Sequence, residues 1–525
     1  METVNIVGAG LAGLSAALTL SCAGIKTNLI SVQASERAQS VLAEGGINGV
    51  LDCMGEGDTV EAHFADTMKA GCYLADERAV MDLVSHAPGI ISDFKAMGVP
   101  FNSVNGVIQQ RNFGGQKKKR TAFVKSSTGK TLMTALIDKV RFYEAKGLVI
   151  RYSHHNFEGL GIENGTCHGV YISDVYYSTS ADVGTETFFL EGPVILAFGG
   201  MNGLFPGHTT GVVTNSGEAV AKVFSQGVKL SNLEMIQYHP TTIGICGKRC
   251  LVSEAARGEG GRLYIERDGK PWFFMEERYP ELGNLMPRDV VAREMYFVSR
   301  DPSCAGQVYL DLTRIPSDIW KKRLSDLRSE ITDYLKIDPV KQPVPVAPAI
   351  HYFMGGIDVD IRHRTNIRGL YAAGECCSQY HGANRLGGNS TLAAVYGGRA
   401  AASDIIENPI ETEGFYFRPM PHAPASPRVT EEICRILTTS MGIVRNGSSL
   451  KTALAELKEM KALKYDNANE INIITLSQAI VMSALLRRES RGAHYREDFP
   501  KSDDAMRHMT AAVLKNGEAK VEFKE

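Results

Sequence analysis

The chain has 525 residues, of which 44% are hydrophobic and 22% charged, and its formal net charge is −2. That length accommodates roughly two to four domains, with ample apolar residues for more than one core, and the charge balance excludes the strongly basic face of a nucleic-acid binder. Ten scattered cysteines without a CxxC spacing exclude an iron–sulfur cluster held by this chain alone, fit free thiols in a reducing compartment, and leave no metal site to expect.

In chain order, TVNIV (3–7) predicts a short buried strand. GAGLAGLSAALTLSCAG (8–24) predicts a glycine turn and then a helix ending at Gly24, and TNLIS (27–31) a second strand. Together they make a βαβ unit. A glycine turn at Gly8 leaves no room for a signal peptide, and no run of about 18 apolar residues is expected to cross a membrane. The expected location is the cytoplasm, with any link to the inner face of a membrane made through a partner.

Downstream, PVILAFGG (193–200) and GLYAAGE (369–375) repeat the pattern of a buried strand running into glycines. Three such turns, so far apart, predict one discontinuous nucleotide-binding domain with segments inserted between its pieces. Residues 230–345 are the expected insertion, with charged helices in IPSDIWKKRLSDLRSEITDYL (315–335) and a proline-rich close at KQPVPVAPAI (341–350). A second break, FRPMPHAPASPR (417–428), precedes a region with helical patterning and little strand signal over 429–515. The resulting divisions are 1–229 and 346–410 for the two parts of the nucleotide-binding domain, 230–345 for the insertion and 425–515 for a helical C-terminal domain.

Gly8, Gly10 and Gly13 form GxGxxG between the first strand and helix. The first glycine permits the tight turn, the second admits a pyrophosphate, and the third lets helix pack on strand. The helix N-terminus offers free N–H groups to the phosphates. The acidic residue expected at the end of the second strand to hold a ribose is here Ser31. The later strand ending in Glu375, whose carboxylate suits ribityl hydroxyls, favours FAD over NAD.

Five further segments combine charge, histidine and glycine: EMIQYHPTT (234–242), LVSEAARGEGGRL (251–263), LMPRDVVARE (285–294), AIHYFMGGI (349–357) and HGANRLGGNS (381–390). They supply His239, Ser253, Glu254, Arg257, Arg288, His351 and Arg385. Arginine binds carboxylates through two parallel hydrogen bonds, so the set suits a small dicarboxylate.

In this order, and with FGGQKKKRTAFVKSSTGKTL (113–132) and SRGAHYREDFP (490–500), the segments resemble the flavoprotein subunits of the fumarate reductase and succinate dehydrogenase family, which includes L-aspartate oxidase. The resemblance spans about residues 3–510. It implies an α/β fold: a discontinuous Rossmann-like FAD-binding domain, an inserted capping domain and a helical C-terminal domain, with substrate between cap and flavin. It implies that Arg288 donates or accepts the reacting proton, that Glu254 and Arg257 relay protons to it, and that His239, Ser253, His351 and Arg385 grip substrate carboxylates. For the cofactor it adds Ala9, Ala12, Ser40, Glu44, Gly45, Gly46, Ala197, Glu218, Arg385, Ser390 and Thr391 to the residues above.

Two departures from the family pattern carry expectations. Gln39 stands where membrane-bound relatives attach FAD through histidine, so FAD is expected to be non-covalent and fumarate reduction favoured over succinate oxidation. Glu44 replaces a common glutamine and is expected to place a negative charge near the flavin. The expected activity is FAD-dependent reduction of fumarate to succinate, with L-aspartate oxidase or a related enoate reductase as alternatives. A separate iron–sulfur or other electron-transfer subunit is the expected electron donor, and the KKKR run (117–120) is a candidate docking patch for it.

Overall fold

The computed structural model describes residues 3–175, 187–410, 425–465 and 467–524. Most of the linker-like stretch 417–428 lies outside the described residues.

The strands Leu370–Ala372, Val194–Leu196, Val4–Val7, Thr27–Ser31 and Val149–Ser153 form, in that spatial order, a five-stranded sheet whose pairs are all parallel. The three strand-to-glycine segments are therefore immediate neighbours. Val4–Val7, Val194–Leu196 and Leu370–Ala372 are wholly buried, as near-continuous apolar runs of a parallel sheet must be. Helix Leu11–Cys22 follows the first strand and packs on helix Asn389–Glu407. Small residues make that contact close: a Cβ on Gly398 would lie 2.1 Å from the Ala12 carbonyl oxygen.

The inserted segment builds a second sheet of six antiparallel strands. Their order is Lys248–Leu251, Ile236–Ile245, Val344–Phe353, Cys304–Asp311, Arg262–Arg267 and Lys270–Trp272. Its core is separate, with Leu263, Ile265, Val291, Leu310, Trp320 and Leu327 at its centre. The charged helices fall at Ser317–Arg323 and Ser325–Leu335.

The C-terminal region starts with helices Pro427–Ser440, Gly447–Ala462 and Ala468–Leu486. Where little strand signal was expected over 429–515, it closes with a β-hairpin, Thr510–Lys515 and Glu518–Phe523. The hairpin joins Leu230–Ser231, Gly356–Asp358 and Cys377–Ser378 in one sheet. Its turn is Asn516–Gly517, both at positive φ, the conformation that Asn-Gly turns favour.

Among the described residues one helix, Ala468–Leu486, is long and apolar enough by length and composition to cross a membrane. Its Ile473, Ile474, Leu476, Ile480 and Val481 are instead spent in the core shared with the Rossmann layer. Beside it, fully buried Arg487 bonds Glu234 at 2.7 Å and Glu489 at 2.9 Å, and Arg491 reaches Glu489 at 2.7 Å.

Candidate active site

The parallel sheet ends on one side in Gly8, Ser31, Ala197 and Glu375, which share the lining of a cavity of about 470 Å³. A crevice at the carboxyl ends of the strands is where open α/β sheets bind ligands, and the size suits a bound small molecule. The cavity runs from this crevice to the inserted sheet, where His239, Ser253, Glu254, Arg288 and His351 also line it. Of the residues singled out from the sequence, all line it except Gly13 and Arg257. Gly13 lies behind the turn, where a Cβ would come within 1.8 Å of the Gly8 carbonyl oxygen. Arg257 stands behind Glu254, its Nη1 bonding the Asn284 carbonyl at 2.6 Å.

At the glycine end the backbone leaves no space for side chains. Gly8 has φ +117°, and a Cβ there would lie 2.1 Å from the Ala197 carbonyl oxygen. Gly46, at φ +138°, would place a Cβ 2.5 Å from the Ala122 carbonyl oxygen. Ser40 Oγ accepts the Leu11 N–H at 3.2 Å, fixing the start of the first helix. Ser31 Oγ, Glu44 Oε2 and Arg385 Nε are buried without a hydrogen-bond partner in the protein. Such groups cost free energy unless a ligand or water satisfies them, and a dinucleotide with hydroxyls and ring heteroatoms does so. The residues present thus fit FAD, which Gly8, Ala9, Gly10, Ser31, Glu44, Gly45, Gly46, Glu218, Ser390 and Thr391 along the cavity would hold. Thr391 Oγ1 donates to Gly46 O at 2.8 Å, holding that loop.

Glu375 Oε1 accepts the Phe353 N–H at 3.1 Å. Burial raises its pKa to about 7, against the Phe353 N–H and the Arg385 charge. Burial first, then the nearby Glu330 carboxylate, push the Glu44 carboxyl well above the usual range, against Arg111 and the Ser253 hydroxyl, and so work against the negative charge expected there.

At the far end, Arg288 begins helix Arg288–Val298 directly after Pro287. Its Nη2 and Nε reach Glu254 Oε2 at 2.6 and 2.9 Å. Glu254 Oε1 accepts the Gly114 N–H at 3.0 Å and lies 3.3 Å from Arg257 Nη2. Burial works to raise the Glu254 pKa, but Arg288 and Arg257 together outweigh it and hold the carboxyl at about 2. The buried Arg385 stacks over Tyr352, 4.2 Å from the ring centroid. Burial, then Arg288, lowers its pKa to about 9, so it stays a cation at neutral pH.

His239 and His351 stand on paired strands, their ring centroids 5.1 Å apart. The pairing is irregular between His239 and Thr242, where Pro240 offers no N–H to the ladder. Nδ1 of His239 lies 3.1 Å from the Thr241 carbonyl, and Nδ1 of His351 is 2.8 Å from Thr210 Oγ1. In both rings Nε2 is the nitrogen left for the cavity. Burial and the surrounding positive charge hold both well below the usual histidine range, so both are neutral.

Three contributors escaped the sequence reading. Gln237 accepts from Arg288 Nη1 at 3.1 Å and donates to Asn384 Oδ1 and Arg385 O at 2.7 and 2.9 Å, joining the two arginines. It sits two residues before His239 in the same segment, where strand alternation puts both on one face. Arg111 holds the carbonyls of Glu44 and Gly45 at 3.3 and 3.2 Å, from a strand of two residues that leaves no periodic signal. Thr210 is the third. Of the KKKR run, Arg120 is fully buried against Asp58 and Asp66, Lys118 bonds the Glu56 carbonyl and Lys119 pairs with Glu56, while Lys117 and Lys119 are exposed. Gln39 Oε1 accepts the Val212 N–H at 2.7 Å.

A family profile described as "FAD binding domain" matches residues 3–391, and one described as "Fumarate reductase flavoprotein C-term" matches residues 430–525. The succinate dehydrogenase flavoprotein subunit of Bacillus subtilis is 35% identical, over 96% of this chain and 92% of its own length. An L-aspartate oxidase of Streptomyces coelicolor is 34% identical, over 97% of this chain and 91% of its own. The solved flavoprotein of E. coli quinol fumarate reductase superposes with a TM-score of 0.86 at 27% identity, over 100% of this chain and 97% of that one. The chain therefore belongs to the FAD-dependent oxidoreductases of the succinate dehydrogenase and fumarate reductase flavoprotein family. FAD is its cofactor.

Proposed function

We propose that the chain reduces fumarate to succinate as the flavoprotein subunit of an electron-transfer assembly. The observation that carries this reading is the charge at the cap end of the cavity. Arg288, Arg257 and Arg385 are buried there, and among the ion pairs of the described residues one carboxylate, Glu254, serves the first two and none serves Arg385, so positive charge is in excess beside neutral histidines. A dicarboxylate dianion balances that excess. L-aspartate, whose ammonium group cancels one of its charges, balances it less well, and segment 113–132 contains no acidic residue to receive an ammonium group.

In this reading Arg385 and the Nε2 atoms of His239 and His351 orient the substrate carboxylates, which is the positioning part of the rate. FAD supplies the two-electron hydride carrier. Arg288 faces the carbon that gains a proton, and Glu254, hydrogen-bonded to Arg288 and ion-paired with Arg257, returns the proton so that no stable neutral arginine is needed. Gln39, an amide engaged by Val212, offers no imidazole for a covalent link, so the FAD is non-covalent. We place the protein in the cytoplasm, reaching a membrane only through a partner; its ten free cysteines fit that compartment.

The test assays one preparation with fumarate and a reduced dye, with succinate and an oxidised dye, and with L-aspartate and oxygen. The expected result is fumarate reduction as the fastest reaction, with all flavin released on acid precipitation. Faster L-aspartate oxidation would sink the proposal.

A further inference from the structure

We propose that Thr210 is a positioning residue that fixes the tautomer of His351, so that the ring presents an Nε2–H to a substrate carboxylate. The inference rests on the reading of the cavity as a dicarboxylate site. A neutral imidazole carries one N–H, and the partner of one nitrogen decides which nitrogen bears it. A carboxylate only accepts. His351 therefore serves an anion only if Nε2 is protonated, and Nδ1 must then accept a hydrogen bond. A backbone carbonyl as the sole partner of Nδ1 would enforce the opposite tautomer; at His239 the Thr241 N–H, 3.3 Å from Nδ1, competes with the Thr241 carbonyl at 3.1 Å. What the structure puts there is a hydroxyl, Thr210 Oγ1, at 2.8 Å, while the other acceptor near that hydroxyl, the Ile350 carbonyl, lies farther off at 3.4 Å.

The hydroxyl is held in place from both sides. The Thr210 N–H bonds the Ile350 carbonyl at 2.9 Å, tying the segment to the strand that carries His351. Thr209 Oγ1 donates to Asn202 Oδ1 at 2.7 Å and accepts the Gly211 N–H at 3.0 Å. Two residues on, the Val212 N–H is bonded to Gln39, which lines the flavin end of the cavity. The segment 209–212 thus straps the loop around Gln39 to His351. Burial of the ring, with Arg288 and Arg385 nearby, disfavours the imidazolium, which would serve an anion without any tautomer choice.

The test records nitrogen-15 spectra of histidine-labelled, FAD-loaded protein, with His351 assigned by loss of its signals in His351→Gln. The wild type is expected to show the Nε2–H tautomer at His351. In Thr210→Val the Nδ1–H form is expected to appear, with KM for fumarate up about tenfold or more, the size of a lost hydrogen bond to a charged group, and kcat within about twofold. Thr210→Ser is expected to restore both. An Nδ1–H tautomer in the wild type, which needs no variant to fold, would overturn the assignment. So would an unchanged tautomer and KM in Thr210→Val. Failure of fumarate to be reduced would overturn the reading of the site, whereas the wild-type tautomer judges Thr210 independently.

Discussion

Glu254 is one carboxylate serving two buried guanidiniums, and its energetics follow from that. Its folded pKa of about 2 lies below the ordinary 4.5, so ionised Glu254 stabilises the fold above pH 4.5, and this contribution is lost as pH falls toward 2. Glu254→Gln leaves Arg288 and Arg257 without their charge partner in a buried site, at a cost of about 3–5 kcal/mol. Urea unfolding at pH 6 should show that deficit, and the gap to the wild type should narrow as pH is lowered below 4.5. A gap independent of pH would mean that Glu254 is not the charge partner of the two arginines. Arg288 and Arg385 were legible as arginines in the segments 285–294 and 381–390. The charge state of Glu44 was not, because burial and Glu330, distant in sequence, set it.

Among the elements, the strand-to-glycine turns carried the clearest signal, and the structure places them side by side. Gly8 binds this arrangement together, since its α-carbon faces the Ala197 carbonyl of the neighbouring strand. Gly8→Ala must open that contact or unwind the turn, an overpacking cost of about 1–3 kcal/mol. The measurement is flavin absorbance per polypeptide after gel filtration, expected to fall well below the wild-type ratio while far-ultraviolet circular dichroism is kept. Full flavin content in this variant would contradict the role given to the turn. The C-terminal hairpin shows the opposite case. Its Asn516–Gly517 turn went unread, and its strands lie toward the edge of a sheet completed by residues 230–231 and 356–358, so local pattern alone did not reveal their partner. The two-residue strand bearing Arg111 had no period to read at all.

Across the whole molecule, the cavity is joined to the C-terminal region by Glu234. Its carboxylate is bonded by Arg487 and by Thr510 at the start of the closing hairpin, and its carbonyl by Arg445 at 2.7 Å. Three residues later Gln237 holds Arg288, and His239 follows. Arg487→Leu strands the Glu234 charge in the interior, while Glu489 keeps Arg491, costing about 3–5 kcal/mol. It should lower the thermal midpoint and raise KM for fumarate, because the strand carrying Gln237 and His239 loses its anchor. A lower midpoint with unchanged KM would confine the network to stability. The family pattern exposed the order of these segments, whereas their coupling depends on contacts between residues 234, 445, 487 and 510 that no local reading contains.

The central claim is that Arg288 delivers the proton to a dicarboxylate held beside the flavin. The most direct measurement mixes photoreduced, FAD-loaded protein with fumarate under anaerobic conditions and follows flavin reoxidation by stopped flow, for the wild type and Arg288→Lys. Reoxidation with one succinate formed per flavin is expected in the wild type. In Arg288→Lys it should slow by about 100- to 10,000-fold with the Kd for fumarate changed little. Equal rates in the two proteins, or reduced flavin indifferent to fumarate, would contradict the account.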